Sequence, residues 1–377
     1  GSILLIGDEA DPPYHRPPLT KGLWRGKKTV PEIFLHPAEY YADHQIALQL
    51  GRSVTALDPA MHEITDDAGA VYRYDRLLLA TGGRPRHLTI AGSELPGLCY
   101  YRYLDDYHFL RRQVHEGTVV TIIGGGFIGS ELAAALNINR CTVMLVFPED
   151  YLVARVFPEG LGRTMSHYYQ SRGVGVFAND LPERLEYRDG QYITHTRGGH
   201  ALASDVVVVG AGIYPNVELA ESAGLQIDNG IVVDDYLRTS APDIYAAGDN
   251  ANFPYAAVGH RSRIEHWDNA VTQGRWAGRN MAGADEPFHC MPYFFSDLFD
   301  FGYEAVGEVD SRLPTVADWV KEHDTGVIYY LRDHRVRGVM LCNVWGQLDA
   351  ARTLIRQNEP VTLERLRGAI PTRKEAA

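Results

Sequence analysis

The 377-residue sequence is 45% hydrophobic and 22% charged, the profile of a soluble globular protein with two or three domains. Its 48 acidic residues outnumber its 36 basic residues. The resulting net charge of -12 argues against nucleic acid or an anionic membrane as a main partner. No apolar run is long enough to cross a bilayer, so we expect no membrane span.

The four cysteines, Cys99, Cys141, Cys290 and Cys342, are widely spaced along the chain. This spacing favours neither a disulfide framework nor a zinc site, so we predict no bound metal. Such cysteine usage fits a reducing compartment, and we expect a cytoplasmic location.

The first predicted strand, residues 3–6, runs directly into Asp8 and Glu9. An acid at the tip of a buried strand often binds the ribose of a dinucleotide. In such a site a glycine-rich turn lies upstream, within a unit of roughly 30 residues, and none precedes residue 3 here. We favour the interpretation that the printed sequence starts inside a longer chain. The alternative is that the protein lacks this turn, which would remove the main cradle of the pyrophosphate.

A second strand is predicted at residues 77–80 and stops at Thr81 and Gly82. Small residues at a strand end let a ligand or another backbone approach closely.

A complete βαβ unit follows at residues 118–147. A strand over residues 118–123 ends in a glycine turn, a helix covers residues 130–137, and a second strand covers residues 141–147. The stretch "IIGGGFIGSEL" places Gly124, Gly126 and Gly129 in the G-x-G-x-x-G pattern. The glycines bring a pyrophosphate against the helix N-terminus, so we predict a dinucleotide site rather than a turn without ligand.

Glu149 lies 20 residues after Gly129, at the tip of the second strand. A carboxylate there accepts both ribose hydroxyls and repels a 2′-phosphate, which favours NADH over NADPH. Arg155 is a counter-signal, because a nearby arginine can bind that phosphate. Glu131, in the first helical turn, either caps the helix dipole or lines a nicotinamide pocket.

Two more strands end at small residues: residues 205–209 stop before Gly212, and residues 244–247 stop before Gly248 and Asp249. From about residue 287 the pattern changes to aromatic strands followed by two helices, at residues 348–357 and 363–369. This indicates a separate antiparallel α+β domain.

The motifs "GGGFIGSEL", "ATGGRPR", "APDIYAAGD" and "RIEHWDNAVTQGRWAGRNM" resemble the ferredoxin, rubredoxin and putidaredoxin reductases. The stretches "PYHRPPLTKGLW", "YPNVELAESAGLQID" and "FFSDLFDFGYEAVGEVDSRLPT" are similar to apoptosis-inducing factor and its bacterial relatives. The resemblance implies an α/β protein with two Rossmann-like domains: an FAD domain at residues 1–103 and 231–288, and an NAD domain at 104–230. It also implies a C-terminal α+β domain at residues 289–377.

The resemblance assigns Lys21 and Glu131 as an ion pair beside flavin N5, and we predict both as catalytic residues. It implies FAD contacts at Asp8, Arg16, Lys21, Val54, Arg102, Asp249, His266, Trp267 and Phe295. It implies NADH contacts at Gly125, Gly126, Phe127, Ile128, Glu149, Arg155, Gly230, Glu265, His266 and Glu304. We also predict as cofactor-binding residues Gly124 and Gly129 of the G-x-G-x-x-G pattern, Glu131, and the strand-end residues Glu9, Thr81, Gly82, Gly212 and Gly248. Phe295 departs from the family, which often has Trp at this position.

Residues 12–24, where related disulfide reductases carry a redox-active cysteine pair, contain no cysteine. We therefore predict an FAD-dependent NADH oxidoreductase that passes electrons to an iron–sulfur protein, a quinone or a small acceptor. The alternative is a redox-responsive binding protein whose NADH-reduced state controls dimerisation or partner binding. Residues 313–326 directly bridge the region where the mammalian apoptotic protein has a long insertion.

Overall fold

The computed structural model describes residues 1–372, and residues 373–377, the end of the predicted C-terminal domain, lie outside the described residues. The strands, in chain order, are β1 Ile3–Gly7, β2 Ile46–Leu50, β3 Val54–Asp58, β4 Glu63–Asp66, β5 Val71–Arg73, β6 Leu77–Leu79, β7 Gly83–Pro85, β8 Cys99–Tyr100, β9 Val119–Ile123, β10 Thr142–Val146, β11 Gly175–Phe177, β12 Pro182–Arg188, β13 Gln191–Thr196, β14 Ala201–Ser204, β15 Val206–Val209, β16 Ile213–Pro215, β17 Ile231–Val232, β18 Ile244–Ala246, β19 Ala251–Tyr255, β20 His260–Arg263, β21 Tyr293–Leu298, β22 Phe301–Gly307, β23 Thr315–Lys321, β24 Thr325–Arg332 and β25 Arg335–Cys342. The α-helices are α1 Ala38–Asp43, α2 Leu104–Gln113, α3 Phe127–Ile138, α4 Glu159–Ser171, α5 Glu218–Ser222, α6 Trp267–Met281, α7 Leu348–Gln357 and α8 Leu363–Leu366. Short 3₁₀ helices cover Pro17–Leu19 and Val30–Ile33.

The chain forms two compact units, each built from three segments. The first unit comprises Gly1–Pro18, Lys28–Arg84 and Tyr214–Pro292, and the second comprises Leu19–Lys27, Pro85–Ile213 and Tyr293–Ala377. The three-domain division expected from the sequence stays a prediction.

A five-stranded parallel sheet, in the order β11-β10-β9-β15-β8, lies in the second unit. Its strands β9 (VVTII) and β15 (VVVV) are rich in Val and Ile because they are buried on both faces. Val120, Ile122 and Val207 are completely buried. Each such side chain contributes about 1.5–3 kcal/mol of burial free energy. This sheet contains the predicted βαβ unit.

Helix α3 begins at Phe127, three residues before its predicted start, because the glycine turn itself ends at the N-cap, Gly126. The helix packs against β10 and β21, and its residues from Gly129 to Leu136 are all buried. Only small and apolar side chains, with the polar Ser130 and Glu131, occupy this stretch.

A five-stranded antiparallel sheet, β21-β22-β25-β24-β23, forms the C-terminal part of the second unit. Helix α7 packs on β22 and β25, and its bounds match the predicted helix. The sequence reading missed β23, because a polar edge strand such as "TVADWVK" carries only a weak apolar alternation. Residues 313–326 thus contain a strand as well as connections.

The first unit contains small sheets. β1 pairs in parallel with β2, and β6 pairs in parallel with β18. β3, β4 and β5 form an antiparallel meander, while β17, β19 and β20 form a mixed three-stranded sheet. Within residues 1–372, no helix combines the length and the apolarity needed to cross a membrane.

Candidate functional site

Three glycines, two in the turn between β9 and α3 and one in the first turn of α3, are required by packing. Gly124 has φ +121°, and a Cβ there would lie 2.4 Å from the Gly210 carbonyl oxygen. A Cβ on Gly129 would lie 1.8 Å from the Gly124 oxygen, and one on Gly125 would lie 2.5 Å from the Phe147 ring. These contacts bring the turn against the end of β15 and close the helix against the sheet.

Gly126 differs from the other three because a Cβ there would meet nothing within 4 Å. It is the N-cap of α3, and no side chain caps the helix. No side chain of the N-cap therefore competes for the first-turn N–H groups, which lie at the positive end of the helix dipole. Such an end binds a pyrophosphate, so this turn fits a dinucleotide.

Two predicted acids have oxygen atoms that lack donors. Glu149, beyond the end of β10, is half-buried, and its carboxylate bonds to no other side chain among residues 1–372. Glu304 lies on β22 opposite Phe295, and its Oε2 is buried without a donor among the same residues. Burial raises the pKa of Glu304, opposed by the Gly346 N–H and by Arg352. Both acids can accept hydrogen bonds from a nucleotide.

Lys21 and Glu131 form the ion pair that the resemblance implies. The distance from Lys21 Nζ to Glu131 Oε1 is 2.6 Å, and the side chains are 12% and 6% exposed. The two residues are 110 positions apart, so only the tertiary fold brings them together. Lys21 Nζ also lies 5.1 Å from the centre of the Phe295 ring, within the range of a cation–π contact.

Two hydroxyl groups complete the surroundings of Glu131. Ser296 Oγ donates to Oε1 and Thr20 Oγ1 donates to Oε2, both at 2.5 Å. Sequence reasoning assigned no role to either residue. The available signal for Ser296 was a polar residue at an inward position of the strand "YFFSDL".

At the first predicted ribose site, within the first unit, Asp8 and Glu9 have different surroundings. The Glu9 carboxylate accepts hydrogen bonds from Tyr14 Oη and, at 2.7 Å, from Arg16 Nη2. Asp8 is exposed, and its carboxylate has no side-chain partner among residues 1–372. Asp8 thus differs from Glu9 in having a carboxylate without a side-chain partner in the described part of the chain, and its ribose role stays a prediction.

The second glycine turn of the first unit is held by buried amides that sequence reasoning missed. Gly248, with φ +87°, donates its N–H to Gln273 Oε1 at 2.8 Å. Asn250 is completely buried and donates to Thr81 Oγ1 at 2.9 Å. These bonds fix the backbone on both sides of Asp249. The sequence signal for these amides is the four-residue spacing of Asn269 and Gln273 on α6, which places both on one face of the helix, where both are buried.

Arg263 contacts three of the residues that are predicted to bind NADH or FAD. Its Nη1 donates to the Asp249 carbonyl at 3.0 Å and to Glu265 Oε1 at 2.6 Å. Gly230 has φ +133°, and a Cβ there would lie 2.8 Å from Arg263 Cδ and from the Asn250 oxygen. Glycine is needed at position 230 for this close approach.

His266 is the N-cap of α6, and Trp267 is the first residue of that helix. Burial lowers the pKa of His266 to about 4, with the negative charge of Asp249 acting in the opposite direction. Trp267 Nε1 donates to His15 Nδ1 at 3.1 Å.

The remaining predicted positions lie at the ends of elements. Val54 opens β3, Phe127 and Ile128 open α3, and the Arg102 N–H donates to Asp106 Oδ2 at 2.8 Å before α2. Gly82 and Gly212 have positive φ values, of 60° and 93°. Arg155 is exposed, and its guanidinium has no partner among residues 1–372. The cofactor roles of all these residues stay predictions.

Comparison with known proteins extends over almost the whole chain. The model of the pyridine nucleotide-disulphide oxidoreductase family matches residues 1–274. The model of the C-terminal domain of mitochondrion-associated apoptosis-inducing factor matches residues 277–325 and 318–357.

Curated relatives include apoptosis-inducing factor 1 of Dictyostelium discoideum, which is 34% identical over 98% of this chain and 76% of its own length. Rhodocoxin reductase of Rhodococcus erythropolis is 32% identical over 97% of this chain and 86% of its own length. The solved putidaredoxin reductase–putidaredoxin complex matches with a TM-score of 0.90 and 31% identity, covering 97% of this chain and 89% of that chain.

The family, the glycine turn with its open helix end and the acids without donors agree on two dinucleotide cofactors, FAD and NAD(H). The chain belongs to the pyridine nucleotide-disulphide oxidoreductase family and is a flavoprotein oxidoreductase with a C-terminal domain of the apoptosis-inducing-factor type.

Proposed function

We propose that this protein oxidises NADH with FAD and delivers the electrons to an iron–sulfur protein. The observation that carries the proposal is the buried Lys21–Glu131 pair. It places a cation and a compensating anion in a protected site of a chain whose family uses FAD and NAD(H).

We assign NADH binding to the second unit's glycine turn and its neighbouring acids. The N–H groups at the start of α3 bind the pyrophosphate, beside Gly126. Glu149 accepts the ribose hydroxyls and disfavours a 2′-phosphate. Glu304 offers its buried Oε2 to a donor of the nucleotide. We assign flavin contacts to Lys21, Phe295 and Arg102.

We assign further FAD binding to the first unit. Asp8 accepts hydrogen bonds from the adenosine ribose, and Arg16 binds the diphosphate. Asp249, on its amide-braced turn, binds the ribityl chain. His266 and Trp267 meet the flavin at the N-terminus of α6, where the helix dipole favours negative charge.

FAD, when bound, accepts a hydride from NADH and can release the electrons one at a time. The protein's contribution is electrostatic. The Lys21 ammonium favours additional negative charge nearby, and Glu131 limits that effect. The hydroxyls of Ser296 and Thr20 hold the carboxylate in place, so the pair keeps one geometry.

An iron–sulfur acceptor fits this chain better than a thiol acceptor. Residues 12–24 contain no cysteine. The relatives include a ferredoxin–NAD⁺ reductase component of an anthranilate 1,2-dioxygenase system from Burkholderia cepacia, 35% identical over 94% of this chain. We place the protein in the cytoplasm, in line with the reducing compartment that its cysteines favour.

The test is NADH-driven reduction of four acceptors by the FAD-loaded protein: a [2Fe–2S] ferredoxin, a rubredoxin, a soluble quinone and O₂. We expect the highest kcat/KM with an iron–sulfur protein. A preference for the quinone or for O₂ would overturn the proposed acceptor but leave the NADH oxidoreductase activity standing.

The match to the C-terminal domain of apoptosis-inducing factor supports a second candidate function. NADH reduction would then control dimerisation or partner binding, with slow turnover. Sizing chromatography with and without NADH separates the two. A mass that doubles with NADH, together with slow ferredoxin reduction, supports the binding function; an unchanged mass with fast reduction excludes it.

A further inference from the structure

The segment between Glu149 and α4, residues 149–157, contains a strained residue; we name it the coenzyme loop. Val153 has φ +56°, although it is β-branched, and its side chain is only 3% exposed. A β-branched residue rarely adopts this conformation, which costs free energy and persists only when surrounding contacts determine it. The coenzyme loop must therefore be held from outside.

The first anchor is the glycine turn itself. The Val153 N–H donates to the Gly125 carbonyl at 2.9 Å. The Val153 carbonyl in turn accepts from the N–H groups of Val156 and Phe157, at 2.9 and 3.0 Å. The strained residue thus connects the coenzyme loop to the turn that we assign to the pyrophosphate.

Two further anchors come from the C-terminal sequence. Ser311 donates twice to the coenzyme loop: its N–H to the Arg155 carbonyl at 3.0 Å, and its Oγ to the Ala154 carbonyl at 2.5 Å. Tyr330, on β24, is completely buried and donates its hydroxyl to the Val156 carbonyl at 2.6 Å. Three consecutive carbonyls, of residues 154–156, are therefore held by two residues more than 150 positions away, two of them by side-chain hydroxyls and one by the Ser311 backbone N–H.

The coenzyme loop carries two side chains with opposite effects on a 2′-phosphate. The Glu149 carboxylate repels it and the Arg155 guanidinium attracts it, and neither side chain has a partner among residues 1–372. The conformation of the backbone between them decides which one reaches the ribose. Holding that backbone before the coenzyme arrives removes an ordering cost from binding.

We propose that Ser311 and Tyr330 are positioning residues that set the affinity for NADH and the preference for NADH over NADPH. They act through the carbonyls of the coenzyme loop and not by touching the coenzyme. The proposal rests on the proposed NADH site at Glu149. It gives the C-terminal sequence a part in coenzyme recognition.

The test uses FAD-loaded Ser311→Ala and Tyr330→Phe, with equilibrium titration of NADH and NADPH. Each variant loses one hydrogen bond to the coenzyme loop, so we expect the NADH dissociation constant to rise about three- to tenfold. The NADPH dissociation constant should change less, so the preference for NADH over NADPH should become smaller. FAD content and the flavin midpoint potential should stay at their wild-type values.

Tyr329→Phe is the matched control, because Tyr329 is equally buried on the same strand and does not bond to the coenzyme loop. It should bind NADH like the wild type. Ser311→Thr, which keeps the hydroxyl, should restore most of the affinity lost in Ser311→Ala. This rescue separates lost hydrogen bonding from general damage, and Ser311→Ala decides the question if Tyr330→Phe does not fold.

Wild-type affinities for both coenzymes in Ser311→Ala and Tyr330→Phe would overturn the proposal. So would an equal loss in Tyr329→Phe. Glu149→Ala distinguishes this failure from failure of the NADH site: if Glu149→Ala weakens NADH binding and the anchor variants do not, the site stands and the positioning role falls.

Discussion

Ser296 Oγ donates a 2.5 Å hydrogen bond to Glu131 Oε1, the same oxygen that Lys21 Nζ reaches at 2.6 Å. Thr20 serves the other oxygen, so both oxygens of this buried carboxylate have donors. A buried charge is tolerated when it is paired and hydrogen-bonded in this way. Ser296 is thus part of what allows the ion pair to be buried.

Ser296→Ala should lower the free energy of unfolding by about 1–3 kcal/mol, because it removes a buried donor to a charged group. Urea unfolding measures the loss. Ser222→Ala is the control, since Ser222 is exposed and donates only within its own helix. A loss no larger than that of Ser222→Ala would show that the Ser296 hydroxyl contributes little.

Lys21→Ala and Glu131→Ala should move the flavin midpoint potential in opposite directions. Loss of the ammonium disfavours the electron-rich reduced flavin and lowers the potential, whereas loss of the carboxylate raises it. Each variant also leaves an uncompensated charge, so both should unfold more easily than the wild type. Redox titration of both variants measures the midpoint potentials. Shifts of the same sign, or no shift, would contradict the assignment of Lys21 and Glu131 to a position beside the flavin.

Gly125→Ala and Gly126→Ala should have different effects, although the residues are neighbours. A methyl group at Gly125 collides with the Phe147 ring, and overpacking of this kind costs about 1–3 kcal/mol. A methyl group at Gly126 meets open space, so that variant should fold but bind NADH more weakly. Thermal unfolding and NADH titration of both variants check this. Wild-type NADH affinity in Gly126→Ala would place the pyrophosphate elsewhere.

Glu149→Ala should weaken NADH binding by about 1.5–3 kcal/mol, the loss of a charged hydrogen bond to the ribose. NADPH binding should weaken less, since the removed carboxylate no longer repels its phosphate. Dissociation constants for both coenzymes measure the change. If neither constant moves, the ribose lies away from Glu149.

His266 should make folding stability depend on pH. Its pKa is about 4 in the folded protein and 6.5 ordinarily. Between these values the unfolded chain binds the additional proton, so stability falls as the pH falls from about 6.5 towards about 4. The loss should be on the order of 2 kcal/mol after allowance for partial exposure. His266→Gln should flatten this part of the profile, measured by urea unfolding; an unchanged slope would contradict the low pKa.

The nucleotide-binding sheet was predictable because its signals are local. The glycines, the following helix and Glu149 lie within one short stretch, and the spacing alone indicates the βαβ unit. The Lys21–Glu131 pair came only from the resemblance, since no periodicity connects positions 110 residues apart.

Other features arise only from tertiary packing. Ser296 reaches Glu131 across 165 positions, and Ser311 reaches Ala154 across 157. The positive φ of Val153 is the reverse of what a β-branched residue indicates locally. Such a conformation is determined by its anchors, which lie elsewhere in the sequence.

The most direct test of the central claim is anaerobic titration of the FAD-loaded, full-length protein with NADH, followed by the visible absorbance of oxidised flavin. We expect the absorbance to bleach with one equivalent of NADH, and Glu149→Ala to require a higher concentration. A protein that holds FAD but keeps its oxidised spectrum in excess NADH would contradict the NADH oxidoreductase function.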